Sequence, residues 1–274
     1  MCGPMHTTDG SKKLAVVTGA SSGIGKALAG QFARNGYDLL ISAEDGGIEA
    51  AAAELRALGA QVRTVRADLA TYEGVEELAG AIESASGALD VVAINAGVGV
   101  GGASFDESDL RAQLKVIDLN VTGSVHLAKR AIPLLRARTS GRLAFTSSIA
   151  ALMPGPFESV YAASKAFLLS FSEAIRNELK DTGVTVTAFL PGPTDTNFFE
   201  RAGMQNTPAG TRPKDDPDDV ARQAYDAIIA GKDHQVVGSL KTKLQAAVTR
   251  VLPETVKGEV HRGEAKPMES KTES

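Results

Sequence analysis

Tryptophan is absent from the 274 residues, and aromatic side chains make up only 5% of them. The interior must therefore be packed on Ala, Val, Leu and Ile. The single cysteine, Cys2, excludes an internal disulfide and any cysteine-rich metal site. Four histidines, His6, His126, His234 and His261, are too scattered to suggest a metal centre, and no metal is expected. No apolar run reaches the roughly 18 residues that a membrane-spanning helix needs, so no membrane span is expected. Residues 1–13 lack the apolar stretch of a signal peptide. Nor is there an excess of positive charge. The 29 lysines and arginines stand against 33 aspartates and glutamates, a net of −4, which excludes a strongly basic nucleic-acid surface. A cytoplasmic chain acting on a small molecule is expected.

What is present is a regular alternation. Leu14–Thr18 is a short apolar run with the look of a buried parallel strand. Helical spacing over Ile24–Arg34 follows, stopped by Gly36. The same alternation continues with strands expected at Asp38–Ser42, Gln61–Ala67, Leu89–Ile94, Gly141–Ser147, Val184–Leu190 and His234–Val237. Helices are expected at Ile48–Leu58, Tyr72–Ser84, Asp109–Arg136, Val160–Asp181, Pro217–Ala230 and Leu240–Leu252, with Pro133 bending or stopping the third. Strands alternating with helices predict βαβ units and an α/β fold, a doubly wound parallel sheet in three layers. A single domain over 13–262 is expected between polar tails at 1–12 and 263–274.

The first strand enters its helix through Thr18-Gly19-Ala20-Ser21-Ser22-Gly23-Ile24-Gly25. Glycines there permit positive φ and let backbone approach a pyrophosphate, while the helix N-terminus offers free N–H groups and partial positive charge. Such a loop is also met as a plain tight connection. With a strand before it and a helix after it, Gly19, Ser21, Ser22, Gly23, Ile24 and Gly25 become candidates for holding a dinucleotide, as in a Rossmann-like fold.

The spacing G-x-x-x-G-x-G with Thr in front resembles the glycine motif of the short-chain dehydrogenase/reductase family. Further elements of that family follow in order. Asp68, with Leu69 beside it, closes the third strand, where the family often places an Asp near the adenine ring. Asn95-Ala96-Gly97 matches the end of the NNAG element, whose first Asn is replaced by Ile94. Ser148, Tyr161 and Lys165 have the S-x12-Y-x3-K spacing, and Asn120 in LNVTG matches the family's catalytic Asn. Pro191-Gly192, followed by Thr194 and Thr196, resembles the turn beside the nicotinamide. The resemblance spans about residues 13–240. It implies a nicotinamide-dependent oxidoreductase interconverting a secondary alcohol and a carbonyl, commonly a homodimer or homotetramer joined through the helices at 109–136 and 160–181.

Tyr161 and Lys165 lie one helical turn apart on one face. A free phenol, with a pKa near 10, is a poor base at neutral pH, and a neighbouring cation lowers that value. So tuned, Tyr161 can exchange a proton with an alcohol oxygen while Ser148 holds the same oxygen by a hydrogen bond. Ser147 faces the other way, since successive strand residues alternate. The resemblance further implies that Lys165 holds the nicotinamide ribose and Asn120 a water. At the end of the second strand, Glu44 and Asp45 can accept from ribose hydroxyls but repel a 2′-phosphate, which favours NAD, with NADP as the alternative. Val98–Phe105, Ile149–Phe157 and Phe198–Met204 are expected around the substrate. They carry Val98, Leu152, Met153, Phe157, Phe198 and Phe199, which suits a largely apolar molecule. Two rival readings stay open. One is a dinucleotide-binding sensor with little turnover; the other is an epimerase or dehydratase of nucleotide sugars, disfavoured by the short segment after Pro191.

Overall fold

Leu14 and Val16 of the first strand point into one apolar layer, and Ala15 and Val17 into another. That alternation across a sheet covered on both faces explains why its strands read as unbroken apolar runs. The computed structural model describes residues 12–138 and 140–268; of the expected N-terminal tail, residues 1–11 lie outside the described residues.

The described strands are β1 (Leu14–Thr18), β2 (Asp38–Ala43), β3 (Val62–Arg66), β4 (Leu89–Ile94), β5 (Gly141–Thr146), β6 (Val184–Pro191) and β7 (His234–Val237). All pair in parallel, in the order β3-β2-β1-β4-β5-β6-β7. The Rossmann-like expectation holds. One face carries α1 (Gly23–Arg34), α2 (Gly47–Ala57) and α9 (Pro217–Ile229), with Leu28, Phe32, Leu55 and Ile228 in its core. The other carries α3 (Tyr72–Ser84), α5 (Ser124–Arg136) and α6 (Ser159–Glu178), closed by Leu78, Leu127, Leu135 and Leu168. The order of strands reverses between β1 and β4, and this opens a crevice at their C-terminal ends.

Four expectations need correction. The helix expected over Asp109–Arg136 divides into α4 (Leu110–Ile117), a wide π-turn at Asp118–Gly123, and α5. Pro133 neither stops nor ends α5, which runs on to Arg136. Between β6 and α9, where the sequence leads to no expected element, lie the short helices α7 (Phe198–Arg201) and α8 (Pro208–Thr211). Beyond α10 (Leu240–Val251) a further helix, α11 (Glu254–Ala265), runs past the expected boundary at 262, because Lys257, His261 and Ala265 form a buried i, i+4 stripe. Among the described residues no helix is long and apolar enough to cross a membrane, and no group of side chains could hold a metal ion.

Candidate active site

The crevice is floored by the β1–α1 loop. Gly19 sits at φ +66°, and a Cβ there would stand 2.9 Å from Ala96 Cα. A Cβ on Gly25 would fall 2.2 Å from the Gly19 carbonyl oxygen. These contacts leave room for a flat, backbone-lined cradle and for nothing larger than hydrogen. Ser22 caps α1 in an extended conformation without a side-chain bond, and no acidic residue occupies the first turn. The positive end of the helix thus faces the cleft, an environment that suits a pyrophosphate. The residues present fit a dinucleotide.

Asn95 ties three strands together at this point. Its Nδ2 donates to the Thr18 carbonyl (2.9 Å), its backbone N–H donates to Thr18 Oγ1 (2.9 Å), and its Oδ1 accepts from Thr146 Oγ1 (2.9 Å). Its side chain is therefore occupied in holding β1, β4 and β5 in register, while Ala96 and Gly97 present backbone to the cleft. Asp68 and Leu69 line the adjoining wall, and Asp68 Oδ1 accepts from the Ala70 N–H (3.0 Å). Across the cleft Pro191, Gly192, Thr194 and Thr196 form the turn after β6, with Thr194 Oγ1 donating to the Gly192 carbonyl (2.9 Å).

At the far end Ser148, Tyr161 and Lys165 come together on the same cleft, 9%, 9% and 4% exposed. Lys165 Nζ lies 5.7 Å from the Tyr161 ring centroid and donates to the Thr146 carbonyl (2.9 Å). Ser147 turns away, its hydroxyl donating to the Lys165 carbonyl (2.8 Å), so the choice of Ser148 over Ser147 agrees with the geometry. The expected lowering of the phenol is absent from the protein without cofactor. Burial pushes the Tyr161 phenol well up, the charge of Glu158 adds to that, and hydrogen bonding with Ser148 works the other way. Burial also pushes the Lys165 ammonium down to about 8. Desolvation of both partners outweighs their mutual effect.

A short chain dehydrogenase model matches residues 13–207. The chain belongs to the short chain dehydrogenase family. It is 40% identical over 191 residues to 1-deoxy-11-beta-hydroxypentalenate dehydrogenase of Streptomyces exfoliatus, covering 69% of this chain and 70% of that one. A short-chain dehydrogenase/reductase of Burkholderia phymatum in complex with NAD superposes with a TM-score of 0.80 at 27% identity, covering 94% of this chain and 98% of that one. A putative gluconate 5-dehydrogenase of Beutenbergia cavernae with bound NADP gives 0.71 at 30% identity, over 82% and 94%. As a short chain dehydrogenase, the protein is an oxidoreductase that transfers hydride between a nicotinamide cofactor and an alcohol or carbonyl group.

Asn120 of the dehydrogenase is fully buried on the π-turn, next to Gly97 and Lys165 of the cleft: a Cβ on Gly97 would stand 3.1 Å from Asn120 Oδ1 and 3.2 Å from Lys165 Nζ. Its Oδ1 accepts from the Val98 N–H (2.9 Å), and its Nδ2 donates to the Val98 carbonyl (2.9 Å) and Ser164 Oγ (3.0 Å). Of the expected substrate-side residues, Val98, Met153, Phe198 and Phe199 line the cleft. Leu152 instead packs beside Ala188, Leu190 and Ala246, and Phe157 beside Ala202 and Met204. Glu44 and Asp45 both reach the cleft; Glu44 pairs with Lys115 (3.3 Å), and Asp45 accepts from Ser21 Oγ (2.8 Å). Burial opposes ionisation of Asp45, but the Ser21 hydroxyl, the Gly47 N–H and the Arg201 charge outweigh it and hold the carboxyl below its usual range.

Sequence reasoning missed Glu158, Arg201 and His261, all on the cleft wall. The signal for His261 was the four-residue spacing Lys257, His261, Ala265, which a glycine-containing polar stretch concealed.

Proposed function

We propose that the cleft is an NAD-preferring catalytic centre for secondary alcohols and their ketones, with Tyr161 as the proton-exchanging group. The observation that carries this reading is the convergence of Ser148, Tyr161 and Lys165 on the wall facing the glycine cradle. The nicotinamide, when bound, supplies and accepts hydride at carbon. The chain's own residues do the rest. Ser148 orients the substrate oxygen by a hydrogen bond, and the buried Tyr161 phenol, held protonated, donates its proton as carbonyl becomes alcohol. In the reverse direction it takes that proton back. Lys165 holds the ribose hydroxyls and, as a cation, favours the phenolate once proton transfer has occurred. Asn120 acts through the Val98 backbone and Ser164 that it clamps.

Glu44 and Asp45 at the end of β2 support NAD over NADP, because two carboxylates stand where a 2′-phosphate would lie. Arg66 donates from Nε to the Glu44 carbonyl (3.1 Å), Lys26 pairs with Glu54 (2.7 Å) and Lys115 pairs with Glu44 itself (3.3 Å), so these three basic side chains are engaged. An apolar wall of Val98, Met153, Phe198 and Met204 suits a largely apolar substrate. The exposed Leu110, Leu114 and Ile117 of α4 and Phe167 of α6 support assembly as a homodimer or homotetramer. The lone cysteine suits a cytoplasmic location. Purified protein is to be tested with NAD and NADH against libraries of secondary alcohols and ketones. Turnover with at least one pair is expected, and dinucleotide binding with none would overturn the reading in favour of a sensor.

A further inference from the structure

Beside the apolar side chains of the substrate half of the cleft stand polar ones, and two of these, Glu158 and His261, are buried and in contact with each other. Glu158 opens α6 one turn before Tyr161, and His261 reaches it from α11. Their side chains are 8% and 9% exposed, and both form part of the cleft wall. His261 Nε2 stands 2.7 Å from Glu158 Oε1, a close ion-pair contact whose angle is poor for a hydrogen bond, so both groups keep bonding capacity toward the cleft they line.

The arrangement is built. Phe157, immediately before Glu158, is the one described residue other than glycine with a positive φ (+66°), and this turns the chain at the entrance to α6. Its ring is covered by the Arg262 guanidinium at 5.1 Å. Gly155 packs against α6, where a Cβ would lie 2.4 Å from Ala162 Cβ, and it borders His261 at ordinary contact distance. An Arg212–Glu264 ion pair and paired hydrogen bonds between Asn206 and Met268 (2.9 and 3.0 Å) hold α11 across the cleft. None of this lies in the glycine cradle or the Ser148–Tyr161–Lys165 group.

We propose that Glu158 and His261 form a second polar subsite that takes a hydroxyl group of the substrate, so that the preferred substrates are hydroxylated secondary alcohols or hydroxyketones. A carboxylate only accepts and an imidazole N–H donates; a hydroxyl can donate to the first and accept from the second through one oxygen. The apolar wall between the subsite and Tyr161 receives the carbon skeleton. A site built to bond a hydroxyl rejects the analogue lacking it, because its buried polar groups are then left unpaired. This inference rests on the reading of the cleft as an alcohol and carbonyl site.

The test compares cyclohexanol with 1,2-, 1,3- and 1,4-cyclohexanediol. Two quantities are measured: kcat/KM with NAD, and affinity for the protein–NADH complex by calorimetry. At least one diol is expected to exceed cyclohexanol ten-fold or more in both. In Glu158→Leu/His261→Leu the ratio of diol to cyclohexanol should fall to within three-fold. Should that protein fail to melt cooperatively or to bind NADH, His261→Gln serves instead; it keeps a donor and should give an intermediate ratio. A wild-type ratio near one, or a ratio the same in wild type and variants, overturns the subsite and leaves the dehydrogenase reading standing. Selective diol binding that the substitutions abolish, without turnover of any alcohol, upholds the subsite and overturns the reading of the reaction.

Discussion

At the dinucleotide end of the cleft the walls are mostly backbone: Gly19 meets Ala96, and Gly25 meets Gly19, at distances that admit no further atom. At the substrate end the walls are side chains on α7, α8 and α11, brought together by ion pairs, aromatic packing and a few loop hydrogen bonds. The first is laid down by strands and a helix that pair or pack within the sheet. The second is assembled from segments up to a hundred residues apart, as Glu158 and His261 show. The difference teaches that the first end is fixed by backbone contacts, where any added atom collides. The second is built of side chains, which a substitution can change without moving the backbone.

Substitutions in the Tyr161 group, in the glycine cradle and in the α7–α8 segment put this contrast to the test. Tyr161→Phe keeps the ring packed against Phe198 but removes the proton-exchanging hydroxyl. Turnover should fall about 10²- to 10⁴-fold, with NADH affinity, followed by fluorescence, within a few-fold of wild type. Residual turnover near the parent rate would remove Tyr161 from its role. In the cradle, Gly25→Ala forces a methyl group into the Gly19 carbonyl, and NADH binding should weaken about 10- to 100-fold. Unchanged binding would mean that the loop is only a connection.

Two milder changes sharpen the electrostatics. Lys165 is charged below about 8 and neutral above it, so the affinity for NADH should drop as pH rises through that value. The drop should be about ten-fold, the scale of one hydrogen bond from a charged donor. Lys165→Met should bind weakly at all pH and show no such limb in the same titration. Glu44→Arg replaces a repelling carboxylate with a guanidinium suited to phosphate. It should narrow the preference for NADH over NADPH about ten-fold. Fluorescence titration of both cofactors checks this, and tighter NADPH binding by the wild type would reverse the assignment.

The smallest effect belongs to the turn between α7 and α8. Gly203 has φ +71° but open space around it, its Cβ position lying 3.7 Å from the Gly101 carbonyl oxygen. Gly203→Ala should cost about 1 kcal/mol of backbone strain, a loss of roughly 2–4 °C in Tm. Cofactor affinity should not change. A fall in affinity as large as that of Gly25→Ala would erase the distinction between the two ends.

Most of the dinucleotide end was legible in the chain because its elements are local. The β1–α1 loop, the Asn95-Ala96-Gly97 turn and the Tyr161/Lys165 spacing each lie within a few residues, and period and turn chemistry act at that range. The π-turn around Asn120 was not legible, since an inserted residue in a helix leaves the apolar pattern nearly intact. Nor was the phenol's upward push, because burial is a property of everything packed around Tyr161 rather than of Lys165 four residues on.

The sequence by itself determined the parallel sheet and the glycine loop and offered Ser148, Tyr161 and Lys165 as candidates, because these rest on short apolar runs, on short spacings or on resemblance to a family. Only the tertiary structure decided that Asn120 is buried beside Gly97, that burial pushes the Lys165 ammonium down to about 8, and that α11 carries His261 to Glu158. Those outcomes depend on which distant surfaces exclude water from one another, and no local spacing encodes that exclusion.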